Sequence, residues 1–151
     1  MTMPTIPIPA LAAPWTLIVR RQGRTTVLAE ICDHSGIRAT VELERCAAGR
    51  LRAAYPANAH DIEIRLVDEA SSRTTDVLRV LASAIEVADP HCRRIIFAAP
   101  AGDWSTIAGA QAGGFRYVVD VDVPGAELSL LAAEPDWVTA IDMDLDRVPG
   151  T

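Results

Sequence analysis

The chain of 151 residues holds only three cysteines and three histidines, and neither set is spaced for cross-linking or metal binding. Cys32, Cys46 and Cys92 are odd in number, far apart and without a CxxC pair. That pattern suits reduced thiols in a cytoplasmic protein, serving as small core hydrophobes, better than a disulfide framework. No two of His34, His60 and His91 have a zinc-site spacing, so no metal is expected. A cationic excess is also missing: the net charge of −6 argues against a general nucleic-acid surface, while leaving room for a local basic pocket. Residues 1–14 contain four prolines and no basic segment ahead of an apolar core, so they read as neither signal peptide nor membrane span. They read as an extended arm, either disordered or lying on a neighbour.

The rest of the chain has the makings of one ordinary globular domain, with 50% hydrophobic and 23% charged residues. Segments 15–20, 26–32 and 37–43, parted by short Gly-containing turns, read as an antiparallel meander. Residues 47–59, with Gly49, Pro56 and Asn58, read as an irregular crossing. Asp61 to Val67 alternates, with Ile62, Ile64 and Leu66 on one face and Glu63 and Arg65 on the other. From Ser72 to Asp89 the apolar period becomes helical, with Val77, Leu78, Leu81, Ala84, Ile85 and Ala88 on one stripe; Ser71 or Ser72 can cap its start and Asp89-Pro90 ends it. Strand 94–99, a helix over 103–113 capped by Asp103, and a closing hairpin of 115–123 with 127–133 complete the order β-β-β-β-α-β-α-β-β. Residues 1–14 thus form an arm, 15–134 a domain and 135–151 an acidic tail. The tail alternates Asp142, Asp144 and Asp146 with Ile141, Met143 and Leu145, which suits an edge strand or a partner-binding segment.

The stretch Asp103 to Phe115, DWSTIAGAQAGGF, resembles the last βαβ unit of the Gcn5-related N-acetyltransferases, whose pattern is N-x-x-A-I-x-x-Y-E-K-x-G-F. Asp103 takes the Asn position, Ile107 the Ile, Gln111 the Glu and Gly114-Phe115 the terminal pair, while Ala110 stands where the Tyr belongs. ADPHCRRI, from Ala88 to Ile95, and FRYVVDVDVP, from Phe115 to Pro124, are similar to segments of the family's siderophore-acylating branch. The resemblance implies an α+β fold with a mixed, mostly antiparallel sheet and helices packed on it. The strand and two helices that open the family's fold have no counterpart here, so the front helices are expected to be reduced or missing.

The same resemblance implies an acyl-CoA-dependent N-acyltransferase that takes acetyl-CoA or a longer acyl-CoA and a small amine, with a siderophore-related role and a homodimer among its implications. In the family a Q/R-x-x-G-x-G/A loop lets backbone amides approach the pyrophosphate at a helix start. Here that window is Glu69 to Thr74, with no glycine. Either Ser71, Ser72, Arg73 and Thr74 bind the anion, or they are only helix-capping residues and the site has weakened. His60 is a candidate general base because its ordinary pKa lies near neutrality; a strand-edge histidine in solvent is the equal alternative. Glu63 is a second candidate, or a surface carboxylate, and Asp103 is the acid residue nearest the branch's aspartate. Cys92, beside Arg93 and Arg94, is a weak candidate nucleophile, and Trp15 and Trp104 read as core or interface residues. Ala110 cannot supply the hydroxyl that commonly protonates the departing thiolate. The rival reading is therefore a non-catalytic module that keeps the fold for binding or dimerisation.

Overall fold

The computed structural model describes residues 3–67 and 74–134. Its elements are β1 (Thr16–Gln22), β2 (Thr26–Asp33), β3 (Gly36–Arg45), β4 (Ile62–Leu66), α1 (Thr74–Ala88), β5 (Ile95–Pro100), α2 (Trp104–Ala112), β6 (Arg116–Val123) and β7 (Ala126–Ala133). The order matches the sequence expectation element for element, with boundaries moved by a few residues. The strands form one sheet in the order β1-β2-β3-β4-β5-β7-β6. Only β4 and β5 are parallel, as a strand-helix-strand crossover requires; every other pair is antiparallel. The turn at Gly23 joins β1 directly to β2, leaving no room for front helices, and Gly36 at φ 119° starts β3 in a conformation that favours glycine.

Both helices lie on one face of the sheet. Helix α1 buries Val77, Leu78, Leu81, Ala82 and Ile85 against Ile62, Ile64, Ile95 and Phe97. Each large aliphatic side chain so covered contributes about 1.5–3 kcal/mol. Helix α2 starts at Asp103, whose side chain accepts from the Thr106 amide, and it ends at Gly113 and at Gly114 with φ 100°. The two helices touch closely: the Thr75 hydroxyl donates to the Gly109 carbonyl at 2.7 Å, and a Cβ at Gly113 would lie 2.9 Å from the Thr75 carbonyl oxygen. On the opposite face, Leu51 and Tyr55 from the crossing between β3 and β4 cover Ile96, Leu128, Leu130 and Ala132.

From residue 3 onward the arm packs on the domain itself. Ile6 is buried in the core, with Leu11 and Trp15 packed against it. The anchor is Arg45, which ends β3 on the inward phase of its alternation and is 1% exposed. Its guanidinium donates to the Pro4 and Thr5 carbonyls of the arm, to the His60 carbonyl, and to Asp89 just beyond α1 at 2.8 Å. Replacing Arg45 by Met leaves Asp89 and three carbonyls without their donor. Urea denaturation of Arg45→Met is expected to show a loss of about 3–5 kcal/mol. Arg45→Met with Asp89→Leu should recover only part of it, because the arm carbonyls stay unpaired.

Candidate active site

The site is a fork in the sheet. Strand β4 stays paired with β3 through Leu66, but its pairing with β5 stops at Ile64 opposite Phe97. Beyond that point β5 runs along β7 to Pro100, so the facing edges of β4 and β5 separate at their carboxyl ends. Among the described residues, backbone groups on those edges face no partner strand, which suits them to a ligand. The opening is a cleft of about 390 Å³ lined by Arg50, Arg65, Leu66, Thr74, Phe97, Ala98, Pro100, Asp103, Thr106 and Leu128. Leu66 and Phe97 belong to the helix-covered face, Ala98 and Leu128 to the opposite one, so the cleft passes through the sheet. The first turns of α1 and α2 meet it at Thr74 and Asp103, and a helix start favours negative charge.

The face away from the helices carries a charge network. Glu63 on β4 has a side chain 1% exposed. One of its oxygens accepts from Arg50 at 2.7 and 3.2 Å, the other from Arg65 at 3.1 Å. Arg65 also donates to Glu42, and to Glu44 at 2.8 Å. Burial works to lower the Arg65 pKa, but hydrogen bonds to Glu42 and Glu44 outweigh it and hold the guanidinium above its ordinary value. Glu44 in turn lies against Gly49, where a Cβ would stand 2.6 Å from the Glu44 Cδ.

No family model and no curated protein matches the sequence. Solved structures do match. An uncharacterised protein of Bacillus halodurans superposes with a TM-score of 0.67 at 15% identity, over 78% of this chain and 63% of its own. Aminoglycoside acetyltransferase AAC(6')-Ib, in complex with coenzyme A and kanamycin, gives 0.64 at 11% identity, over 77% of this chain and 70% of its own. A spermidine N-acetyltransferase SpeG chimera from Vibrio cholerae gives 0.54 at 9% identity, over 76% and 70%. The fold is that of the Gcn5-related N-acetyltransferases. The chain therefore spans a little under two thirds of the first of these structures.

Within this acetyltransferase fold the sequence candidates separate. Thr74 and Asp103 line the cleft, while Ser71, Ser72 and Arg73 lie outside the described residues, as does Glu69. Glu63 is buried behind Arg50 and Arg65 rather than at the surface, because the crossing between β3 and β4 brings Arg50 over it. His60 is not brought to the cleft. It precedes β4, at the opposite end of the strand, where its ring lies 5.2 Å from that of His91 and its Nδ1 lies 3.8 Å from Asp89. Ala110 is fully buried in the core, so its position offers the cleft no side chain. Trp104 is largely exposed at the start of α2, so it is not a core residue. Arg50 had no periodicity to mark it; the only signal was a cation in a crossing next to an alternating charged strand. Among the described residues no cluster of three metal-ligating side chains exists, and no helix is long and apolar enough to cross a membrane.

Cys92 is not activated by Arg93 and Arg94. Burial first, and the charges of Asp61 and Asp89 next, push its thiol up to about 12, and burial likewise raises Cys46. Native protein at pH 8 should therefore show rapid reaction with Ellman's reagent at Cys32 alone, and at all three thiols once unfolded; fast native labelling of Cys92 would contradict this. Gly49→Ala, which displaces the Glu44 carboxylate from Arg65, is expected to lower stability by about 1–2 kcal/mol in thermal or urea denaturation.

Proposed function

We propose that the chain is an acyl-CoA-dependent N-acyltransferase acting on a small amine. The observation that carries this is the fork itself: β4 leaves β5 after Ile64, and the opening runs through the sheet beside the start of the fifteen-residue helix α1. A thioester carried on a long amide-containing arm fits such an opening. Its amides can pair with the free edges of β4 and β5, and its phosphates lie at the α1 start, where Thr74 and the preceding Ser71, Ser72 and Arg73 serve as the anion site. A fold neighbour solved in complex with coenzyme A supports a ligand of this class.

In this reading the amine reaches the thioester from the face opposite the helices. Its nitrogen lone pair attacks the carbonyl carbon, the new C–N bond forms, and the C–S bond breaks to release the thiolate. Asp103, the carboxylate lining the cleft, takes the proton lost by the nitrogen, and the thiolate takes one from solvent at the open mouth. Glu63 holds Arg50 and Arg65 in place. A siderophore-type, lysine-derived amine is the acceptor that the sequence resemblance favours.

One observation favours a second reading, a non-catalytic module. The position of the missing Tyr is sealed in the core at Ala110, and β6, an edge strand among the described residues, exposes Tyr117 and Val119, a surface suited to dimerisation.

Calorimetric titration with acetyl-CoA and longer acyl-CoAs separates the possibilities. The proposal expects binding at micromolar to low-millimolar ligand, weakened at least about tenfold by Ala98→Trp, which fills the cleft. Absence of binding at millimolar ligand would remove the acyltransferase reading, and binding untouched by Ala98→Trp would put the ligand elsewhere.

A further inference from the structure

The two guanidiniums of the cleft are not equivalent, and the difference bears on which amine the site accepts. All three nitrogens of Arg65 are engaged: Nε with Glu42, Nη1 with Glu44 and Glu63, and Nη2 with Glu42. Arg50 directs both Nε and Nη2 onto a single oxygen of the buried Glu63. Its Nη1 has no hydrogen-bond partner among the described residues, and its side chain is 36% exposed against 24% for Arg65. One edge of Arg50 is thus fixed by a buried carboxylate, while its Nη1 is left for a ligand, and Arg50 lines the cleft. A guanidinium edge held in this way is preorganised to receive a planar anion.

The surroundings narrow the anion. The network contains three carboxylates, Glu42, Glu44 and Glu63, against two guanidiniums, Arg50 and Arg65, so one negative charge is left over. A dianionic phosphate would meet net repulsion there. A purely cationic amine would meet the free edge of Arg50. A molecule carrying one carboxylate and one ammonium satisfies both parts, its carboxylate on Arg50 and its ammonium toward the acid groups.

We propose that Arg50 is the acceptor-recognition residue of this site and that the acceptor is an amino acid, an amine bearing a free carboxylate. This rests on the acyltransferase reading and deepens it. It sets the chain apart from the aminoglycoside and spermidine enzymes that share the fold, whose substrates carry amines without a carboxylate.

The test compares the common L-amino acids, lysine and ornithine included, with their carboxamides as acceptors for acetyl-CoA, followed by release of free thiol. At least one amino acid should exceed its amide by about 10- to 100-fold in kcat/KM, carried mainly in KM. Amidation makes the α-amine easier to deprotonate, so intrinsic amine reactivity would give the opposite order. Arg50→Gln should bring the acid down to the level of the amide, and Arg50→Lys should restore part of the preference. Amides used as well as acids, a preference that survives Arg50→Gln, or no turnover of any amino acid by protein that binds acetyl-CoA would each overturn the proposal. The wild-type acid-to-amide ratio decides the matter even if Arg50→Gln fails to fold. A protein that fails to bind acetyl-CoA at all removes the acyltransferase reading beneath it, a result the calorimetry reads separately.

Discussion

A carboxylate on a central strand with a side chain 1% exposed requires partners, and the arrangement around Glu63 follows from that requirement. A buried carboxylate without a cation would destabilise the fold by several kcal/mol. Glu63 draws Arg65 from two residues along its own strand and Arg50 from the crossing between β3 and β4. Arg65 then needs Glu42 and Glu44 on β3, which fixes how β3 and β4 present their polar face. Glu44 in its turn lies against Gly49, so a side chain at position 49 would push its carboxylate aside. One wall of the cleft is therefore a consequence of one buried acid, and Arg50 reaches the cleft because Glu63 holds it there.

A second buried charge does comparable work at the other end of the sheet. Arg45 joins the arm, His60 ahead of β4 and Asp89 at the end of α1 through one guanidinium. All 14 cationic side chains of this protein are arginines, and both networks use what lysine lacks, several donors in a fixed plane. Together the two clusters hold β4 at both ends, leaving its outer carboxyl-end edge free to open the fork.

The fold was legible because its elements obey local rules. Alternation marked β4, the helical stripe from Val77 to Ile85 marked α1, and Asp103 with Gly113-Gly114 bracketed α2. The order of elements then implied the parallel pair and the hairpin. The site was legible only in part. Thr74 and Asp103 sit at helix starts, which sequence marks by capping chemistry, and both line the cleft. Glu63 read equally as a base or a surface acid, because alternation assigns a face but cannot tell whether something covers it; here Arg50 does. His60 was drawn in by residue type and proximity to β4, whereas the fork lies at the strand's other end. Arg45 carried a usable signal, an arginine in phase with Ala39, Val41 and Leu43 on the inward side of β3. Arg50 carried almost none, since an irregular crossing has no period to read.

The central claim is that the free edges of β4 and β5 bind an amide-bearing acyl carrier. Hydrogen–deuterium exchange of the full chain with and without saturating coenzyme A tests it most directly. Slowed exchange on binding is predicted to concentrate in peptides covering Arg65 to Val67 and the start of α1, because a ligand pairing with the fork protects amides that no described strand protects. Protection confined to the β1 or β6 edges, or to the His60–His91 end of the sheet, would contradict it.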